Sequence, residues 1–346
     1  MSGMPCQRKG WLGADKPSGY NPHFERRPMT DFEKIAGAQL PWERFEGATV
    51  LVTGASGFLP AYCVETLLYL NREVLRRPCR VVALVRNSKR AKERFGDRDD
   101  LEIWEQDVSC SVPDISVNYV LHAASQASPV YYKADPVGTL SPNTIGTAKL
   151  LDLCRKQSEC RGFLFFSSGD AALPLDPLDI RSCYGESKRM GETMCMAWYR
   201  QYGVPVRIAR ISHTYGPGMR LDDGRVFADF TRNILSGGPI ILNSDGMARR
   251  CFLYLADATE AFFTILLNGA ADAYNVCHTE EVSIRELADR LASEFHLTFE
   301  YRAGKPNYSP ATIQGRQPNI DKTRALGWNP TTGIEEGFRK TVESYR

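Results

Sequence analysis

Between Ala48 and Ile211 the chain alternates short apolar, β-branched runs with longer stretches of helical composition. The runs are Thr49 to Thr53, Val81 to Val85, Leu101 to Glu105, Tyr119 to His122, Phe163 to Phe166 and Val206 to Ile211. Runs this short and this uniformly apolar predict strands buried on both faces. Spacers of helical length predict crossover helices, which force neighbouring strands to lie parallel. The expected architecture is α/β, a doubly wound parallel sheet of Rossmann type.

The length of 346 residues, with 43% hydrophobic and 24% charged residues, allows one large domain with a smaller lobe attached. Residues 1–46, rich in Pro, Gly, Arg and Lys, read as a partly irregular N-terminal arm with one short helix candidate around Asp31 to Ala38. Residues 47–214 carry the alternating pattern. From 215 to 346 the pattern loosens into short strands and helices such as Ile284 to Phe295 and Gly333 to Tyr345. That region reads mainly as a C-terminal lobe for substrate, with some segments returning to the main sheet. No internal repeat is visible.

Forty-three basic residues against 41 acidic ones leave a net charge of +2, too balanced for a nucleic-acid or membrane surface. Ten cysteines include no Cys-x-x-Cys and no pairing with histidine at metal-ligand spacing, so they read as reduced, mostly buried thiols, and no metal is expected. The N-terminus has no apolar signal core, and no apolar run approaches the roughly 18 residues of a membrane helix. A soluble, cytoplasmic protein is the expectation.

The first strand runs directly into Thr53-Gly54-Ala55-Ser56-Gly57-Phe58-Leu59-Pro60. A glycine-rich turn between a strand and a helix lets backbone N–H groups approach a pyrophosphate, which marks a Rossmann-type dinucleotide site. Gly54, Ser56, Gly57, Phe58 and Leu59 are the expected contacts. Pro60 replaces the usual third small residue and removes one donor, which a first helical turn tolerates. Past the second strand, Arg86 stands where an acid commonly binds the ribose hydroxyls, and a guanidinium there favours the 2′-phosphate of NADP over NAD. Asp107 and Val108, after the third strand, are expected near the adenine.

Tyr184 and Lys188 lie one helical turn apart, downstream of a strand ending in Ser167 and Ser168. An ammonium group beside a phenol lowers its pKa from about 10, so the pair is expected to act as a base on a sugar or alcohol hydroxyl. A second Tyr-x-x-x-Lys, Tyr301 to Lys305, includes Gly304 and precedes Pro306, a context that resists helix.

Four further segments carry a family resemblance: Leu121 to Pro129, reading LHAASQASP; Asn143 to Thr147; Tyr215 to Met219; and Asp223 to Val226. With the glycine turn and the Tyr-Lys pair, they make the chain from about Gly47 to Tyr345 similar to the extended short-chain dehydrogenase/reductases of the NAD-dependent epimerase/dehydratase family that act on nucleotide sugars. The UDP-glucuronate decarboxylase branch is the most similar. The resemblance implies that Ser168 hydrogen-bonds the reacting sugar oxygen, that Lys188 also holds the cofactor ribose and that Ala123 borders the cofactor. It also implies that Ser128, Asn143 and Arg225 face the nucleotide sugar, with Arg250 and Arg316 on a diphosphate or sugar carboxylate. Relatives pair into homodimers, and the helix face from Met190 to Tyr202 suits that role. His122, at a strand end, is expected to pack rather than react.

These parts imply oxidation of a sugar C4 hydroxyl to a transient 4-ketone, followed by epimerisation or decarboxylation with cofactor recycling. The residues after Ser168 depart from the relatives. Dehydratases carry Asp-Glu there and decarboxylases Ser-Glu, whereas this chain has Gly169 and Asp170. Gly169 disfavours 4,6-dehydration, and Asp170 is left as the candidate second acid-base group. Gly218 stands where the decarboxylase pattern has Arg. An NADPH-dependent 4-ketosugar reductase, and a non-catalytic dinucleotide sensor on the same fold, remain as alternatives at this level.

Overall fold

The computed structural model describes residues 30–302 and 318–346. Arg316, Lys305 and Cys6 lie outside the described residues. The strands are β1 (Thr49–Thr53), β2 (Arg80–Val85), β3 (Leu101–Glu105), β4 (Tyr119–His122), β5 (Gly162–Ser168), β6 (Val206–Ile211), β7 (His213–Tyr215), β8 (Ile240–Leu242), β9 (Arg249–Tyr254), β10 (Ala273–Val276), β11 (Glu281–Ser283) and β12 (Phe299–Tyr301). The helices are α1 (Asp31–Ala36), α2 (Phe58–Glu73), α3 (Ser88–Phe95), α4 (Pro129–Ala134), α5 (Pro136–Ser141), α6 (Thr147–Arg155), α7 (Cys183–Tyr202), α8 (Val226–Leu235), α9 (Leu255–Asn268), α10 (Ile284–Glu294), α11 (Asp321–Arg324) and α12 (Ile334–Glu343).

Seven strands form one sheet in the order β10-β6-β5-β4-β1-β2-β3, and every pairing within it is parallel. The strand order reverses between β1 and β4, which places the crevice for a ligand beyond the carboxyl ends of those two strands. Apolar side chains cover both faces. One layer includes Val50, Val52, Leu67, Leu164, Phe166 and Phe262, and the other Leu51, Val120, Leu150, Phe163 and Phe165. A three-stranded sheet β11-β9-β7 and a pair β12-β8 build the second lobe with α8, α10 and α12. Tyr301 sits on β12 and is exposed, so the second tyrosine is not helical.

Residues 30–46 are not a loose arm. Thr30 and Glu33 close a capping box on α1, and Ile35, Trp42 and Phe45 are buried in the main core. Burying side chains of this size stabilises the fold by about 1.5–3 kcal/mol each. The Asp31 carboxylate accepts from Tyr62 (2.7 Å) on α2 and Tyr254 (2.6 Å) at the end of β9. Lys34 donates to the buried Asp257 (2.6 Å) and to Thr332 (2.9 Å). Charged residues between the apolar ones gave this segment its solvated look in composition, yet those charges are partners of the core.

Cysteines 63, 79, 154, 183, 195, 251 and 277 are buried, Cys160 is half-buried and Cys110 exposed, all as free thiols. Among the described residues no helix is long and apolar enough to cross a membrane, and no cluster of His, Cys, Asp and Glu is arranged to hold a metal.

Candidate active site

The glycine turn leaves β1 at Gly54, whose φ of +66° lies in the left-handed region that glycine occupies without strain. A Cβ there would stand 2.8 Å from the Ala124 Cα, so only glycine lets the turn lie against the end of β4. Gly57 is the N-cap of α2, with no side chain closing the helix start. The N–H groups of this first turn therefore face the crevice beside half-buried Ser56, Phe58 and Leu59, a cradle that fits a dinucleotide pyrophosphate. Ala123 flanks the turn, Asp107 holds its own loop by accepting from the Ser109 N–H (2.7 Å), and Val108 is buried. Arg86 is exposed at the end of β2.

His122 is enclosed. Nδ1 lies 2.8 Å from Thr53 Oγ1, and Nε2 3.1 Å from both the Pro142 carbonyl and Thr147 Oγ1. Burial and the Lys188 charge push its pKa down to about 3, so it stays neutral and ties β1, β4 and the turn before α6 together.

Ser168 ends β5, Asp170 occupies the next turn, and Tyr184 and Lys188 project from the first turns of α7. Ser168 Oγ accepts from the Asp170 N–H (3.2 Å), and its hydroxyl lies near enough to Tyr184 to favour the phenolate. The structure corrects one expectation about this group. Tyr184 is pushed up to about 12, by burial first and the Asp170 charge second. Lys188 Nζ lies 5.7 Å from the centre of the Tyr184 ring and donates to the Phe166 carbonyl (2.6 Å), and burial pushes its own pKa down to about 7.

Asp170 is buried enough to have its carboxyl pKa raised, with Arg250 opposing the shift. Arg250 donates to the Arg249 carbonyl (2.6 Å), and with Arg225 it lies near enough to the exposed His213 to disfavour its protonation. Arg225 is itself clamped by Asp223 (2.7 Å from Nε), and Ser128 Oγ reaches the Asp223 carbonyl at 3.4 Å. Ser168, Asp170, Tyr184, Arg225 and Arg250 thus share one electrostatic neighbourhood, with Ser128 at its edge.

Asn143 does not join them. It was expected to face the nucleotide sugar, but it sits fully buried in a π-helical turn at residues 142–146, where Nδ2 donates to the Thr139 carbonyl and to Ser187 Oγ (3.0 Å each).

Sequence reasoning missed Tyr132, whose ring stacks on Tyr184 at 4.9 Å with 9° between planes. It also missed Glu192, which accepts from Ser167 Oγ (2.6 Å) and Arg210 Nε (2.8 Å) and raises the Lys188 pKa against burial. Glu192 was findable, since it lies four residues beyond Lys188 on the same helical face; Tyr132 had no spacing signal.

The family description "NAD dependent epimerase/dehydratase family" fits residues 50–277. UDP-glucuronic acid decarboxylase 1 of Danio rerio is 32% identical over 313 residues, covering 86% of this chain and 72% of that protein. UDP-glucuronic acid decarboxylase 6 of Arabidopsis thaliana is 30% identical, covering 86% of this chain and 88% of that protein. The Thermotoga maritima UDP-glucose 4-epimerase, solved with UDP-glucose, has a TM-score of 0.73 at 23% identity over 86% of this chain and 98% of its own. The Bacillus cereus UDP-glucuronic acid 4-epimerase, solved with UDP-glucuronic acid and NAD, gives 0.70 at 21% identity over the same shares. At these identities the solved structures speak for the fold, while the family match and the decarboxylases speak for descent. The chain belongs to the NAD-dependent epimerase/dehydratase family, and NAD is its cofactor.

Proposed function

We propose that the protein oxidises C4 of a nucleoside-diphosphate uronic acid, UDP-glucuronic acid first among them, to a transient 4-ketone and then decarboxylates it, returning the cofactor to its starting state. The observation that carries this reading is Asp170: a half-buried carboxyl with a raised pKa, beside Tyr184 and opposed by Arg250. Similarity to UDP-glucuronic acid decarboxylases over most of the chain supports it.

NAD held at the Gly54 to Gly57 turn would supply the hydride acceptor for C4 and, after loss of CO2, the hydride donor that reduces the 4-ketone again. Ser168 and Tyr184 hold the C4 oxygen, and Tyr184 takes its proton once positive charge in the closed site has lowered its pKa. Lys188, anchored on the Phe166 carbonyl, lies beside the ribose-binding face. The C5 carboxylate of the resulting β-keto acid departs as CO2, and its electron pair remains as a C4–C5 enolate. Asp170, whose burial favours the protonated form, delivers a proton to C5. Arg225 and Arg250 meet the diphosphate or the uronic carboxylate with planar, always-charged donors. Arg316 belongs to the same proposed substrate set. Arg86 remains a loop cation, and binding of NADP in preference to NAD would reassign it to the 2′-phosphate.

Incubation with UDP-, dTDP-, GDP- and CDP-sugars, uronic acids included, tests the reading. UDP-glucuronic acid should give CO2 and a UDP-pentose without net NADH, and Asp170→Asn should accumulate the 4-ketosugar together with NADH. No conversion across the panel would sink the proposal. Steady NADPH consumption with a 4-ketosugar would replace it with a reductase. We further propose that the protein acts in the cytoplasm as a homodimer paired through α6 and α7.

A further inference from the structure

At the amino edge of the main sheet, opposite the site just described, lies a cavity of about 320 Å³ lined by Arg44, Tyr119, Arg161, Arg207, Leu266 and Leu267. Tyr119 opens β4, Arg161 immediately precedes β5 and Arg207 is the second residue of β6. The seven residues of β5 separate this cavity from Ser168 by about 20 Å at the usual rise per strand residue. It is therefore a distinct site.

Three guanidinium groups converge there, and among the described residues none is paired with a carboxylate. Arg44 donates to the Leu267 carbonyl (2.7 Å), and Arg207 to the carbonyls of Gly269 (2.9 Å), Pro205 (2.7 Å) and Arg161 (3.2 Å). Those are neutral acceptors, so the positive charge stays unbalanced. Arg207 is partly withdrawn from water, and its pKa is lowered by that burial and further by Arg44, while the Tyr119 phenol feels all three arginines. Elsewhere the chain pairs its arginines closely: Arg80 with Glu102, Arg94 with Glu65, Arg210 with Glu192 and Arg290 with Glu335. Three uncompensated guanidiniums around one cavity mark a place where an anion supplies the missing charge.

We propose that this cavity is a second ligand site, separate from the active site, that binds a phosphoryl group, either as free phosphate or pyrophosphate or as the phosphate end of a nucleotide. Its volume is at the lower end of the roughly 300–1,000 Å³ typical of small-molecule sites. The guanidinium planes offer forked donors to phosphoryl oxygens, and the ring of Tyr119 with Leu266 and Leu267 forms an apolar wall on which a nucleotide base could rest.

The test uses the NAD-saturated enzyme, so that the cofactor's own phosphate site is filled. Pyrophosphate, inorganic phosphate, UMP and AMP are titrated at constant ionic strength, with binding read by calorimetry and thermal shift. Arg44 and Arg161 are exposed, and the substitutions give up the Arg44 hydrogen bond to the Leu267 carbonyl, so Arg44→Gln/Arg161→Gln should fold normally, checked by circular dichroism. It should weaken pyrophosphate binding about tenfold or more, the loss expected when charge-assisted hydrogen bonds are removed. Arg250→Gln, in the active site, should leave that binding unchanged. Tighter binding of UMP or AMP than of phosphate, lost in the double variant and kept in Arg250→Gln, would assign the site to nucleotides; the reverse order with the same variant pattern would assign it to free phosphate. No saturable binding of any probe, or binding lost in Arg250→Gln and kept in the double variant, would overturn the proposal.

Discussion

Lys188 is the residue at which stability and function pull apart. Its ammonium is enclosed and holds its proton only up to about pH 7 in the fold, against about 10 in an unfolded chain. Between those values the unfolded chain binds more protons, so Lys188 makes stability rise with pH across that window. The penalty is full below about pH 7 and fades as pH approaches 10. Lys188→Met should therefore melt above the wild type at pH 7, with the gap closing toward pH 10, while turnover is lost. A melting difference that stays constant from pH 7 to 10 would show that the buried charge is not its source. The spacing of Tyr184 and Lys188 was legible because helix geometry fixes which residues share a face. What the spacing could not carry was direction: Lys188 finds the Phe166 carbonyl, an acceptor supplied by a strand 22 residues upstream.

Helix α7 is held against its neighbours by two glycines with different jobs. A Cβ on Gly185 would stand 2.3 Å from Leu175 Cδ1 and 3.2 Å from the Asp170 carbonyl oxygen, so this glycine sets how near the Asp170 turn lies to Tyr184. A Cβ on Gly191 would stand 2.3 Å from the Phe165 ring and 3.0 Å from the Asn143 carbonyl oxygen, inside the core. Gly191→Ala should act as overpacking and lower stability by about 1–3 kcal/mol. Gly185→Ala should spare stability, because the Leu175 terminus can swing away. It should nonetheless reduce kcat by up to about a hundredfold by shifting Asp170, since ångström-scale displacement is enough for that loss. Denaturant midpoints and kcat measured on both variants check the contrast; equal effects on both readouts would refute the division.

The same element marks where sequence reading ran out. All six anticipated strands of the main sheet appear, within a residue or two at their ends, because burial on both faces leaves a plain apolar signature. The seventh, β10, did not announce itself, since Ala273–Val276 is a four-residue edge strand drawn back from the second lobe. Asn143, anticipated at the nucleotide sugar, is buried in a π-helical turn that leaves no spacing cue in the sequence. The cradle was legible at Gly54 because only glycine satisfies its geometry there.

At the scale of the whole molecule, α6 and α7 cover one face of the sheet but leave apolar surface uncovered. Met190, Tyr199 and Tyr202 on α7 and Ile145 just before α6 are each about half exposed, while the Arg155 guanidinium lies over the Tyr202 ring at 4.8 Å. A two-helix layer with an exposed apolar margin is well suited to a twofold interface, in which a second copy presents the same two helices and closes a four-helix core. The active site lies partly on α7, so such pairing would also hold the Tyr184 turn in place. Met190→Glu/Tyr199→Glu sets like charges against each other across that axis and changes no buried residue. If the proposed pairing holds, the wild type should sediment as a dimer and the variant as a monomer at the same concentration, with an unchanged far-ultraviolet spectrum. An unaltered dimer in the double variant would move the interface to another face.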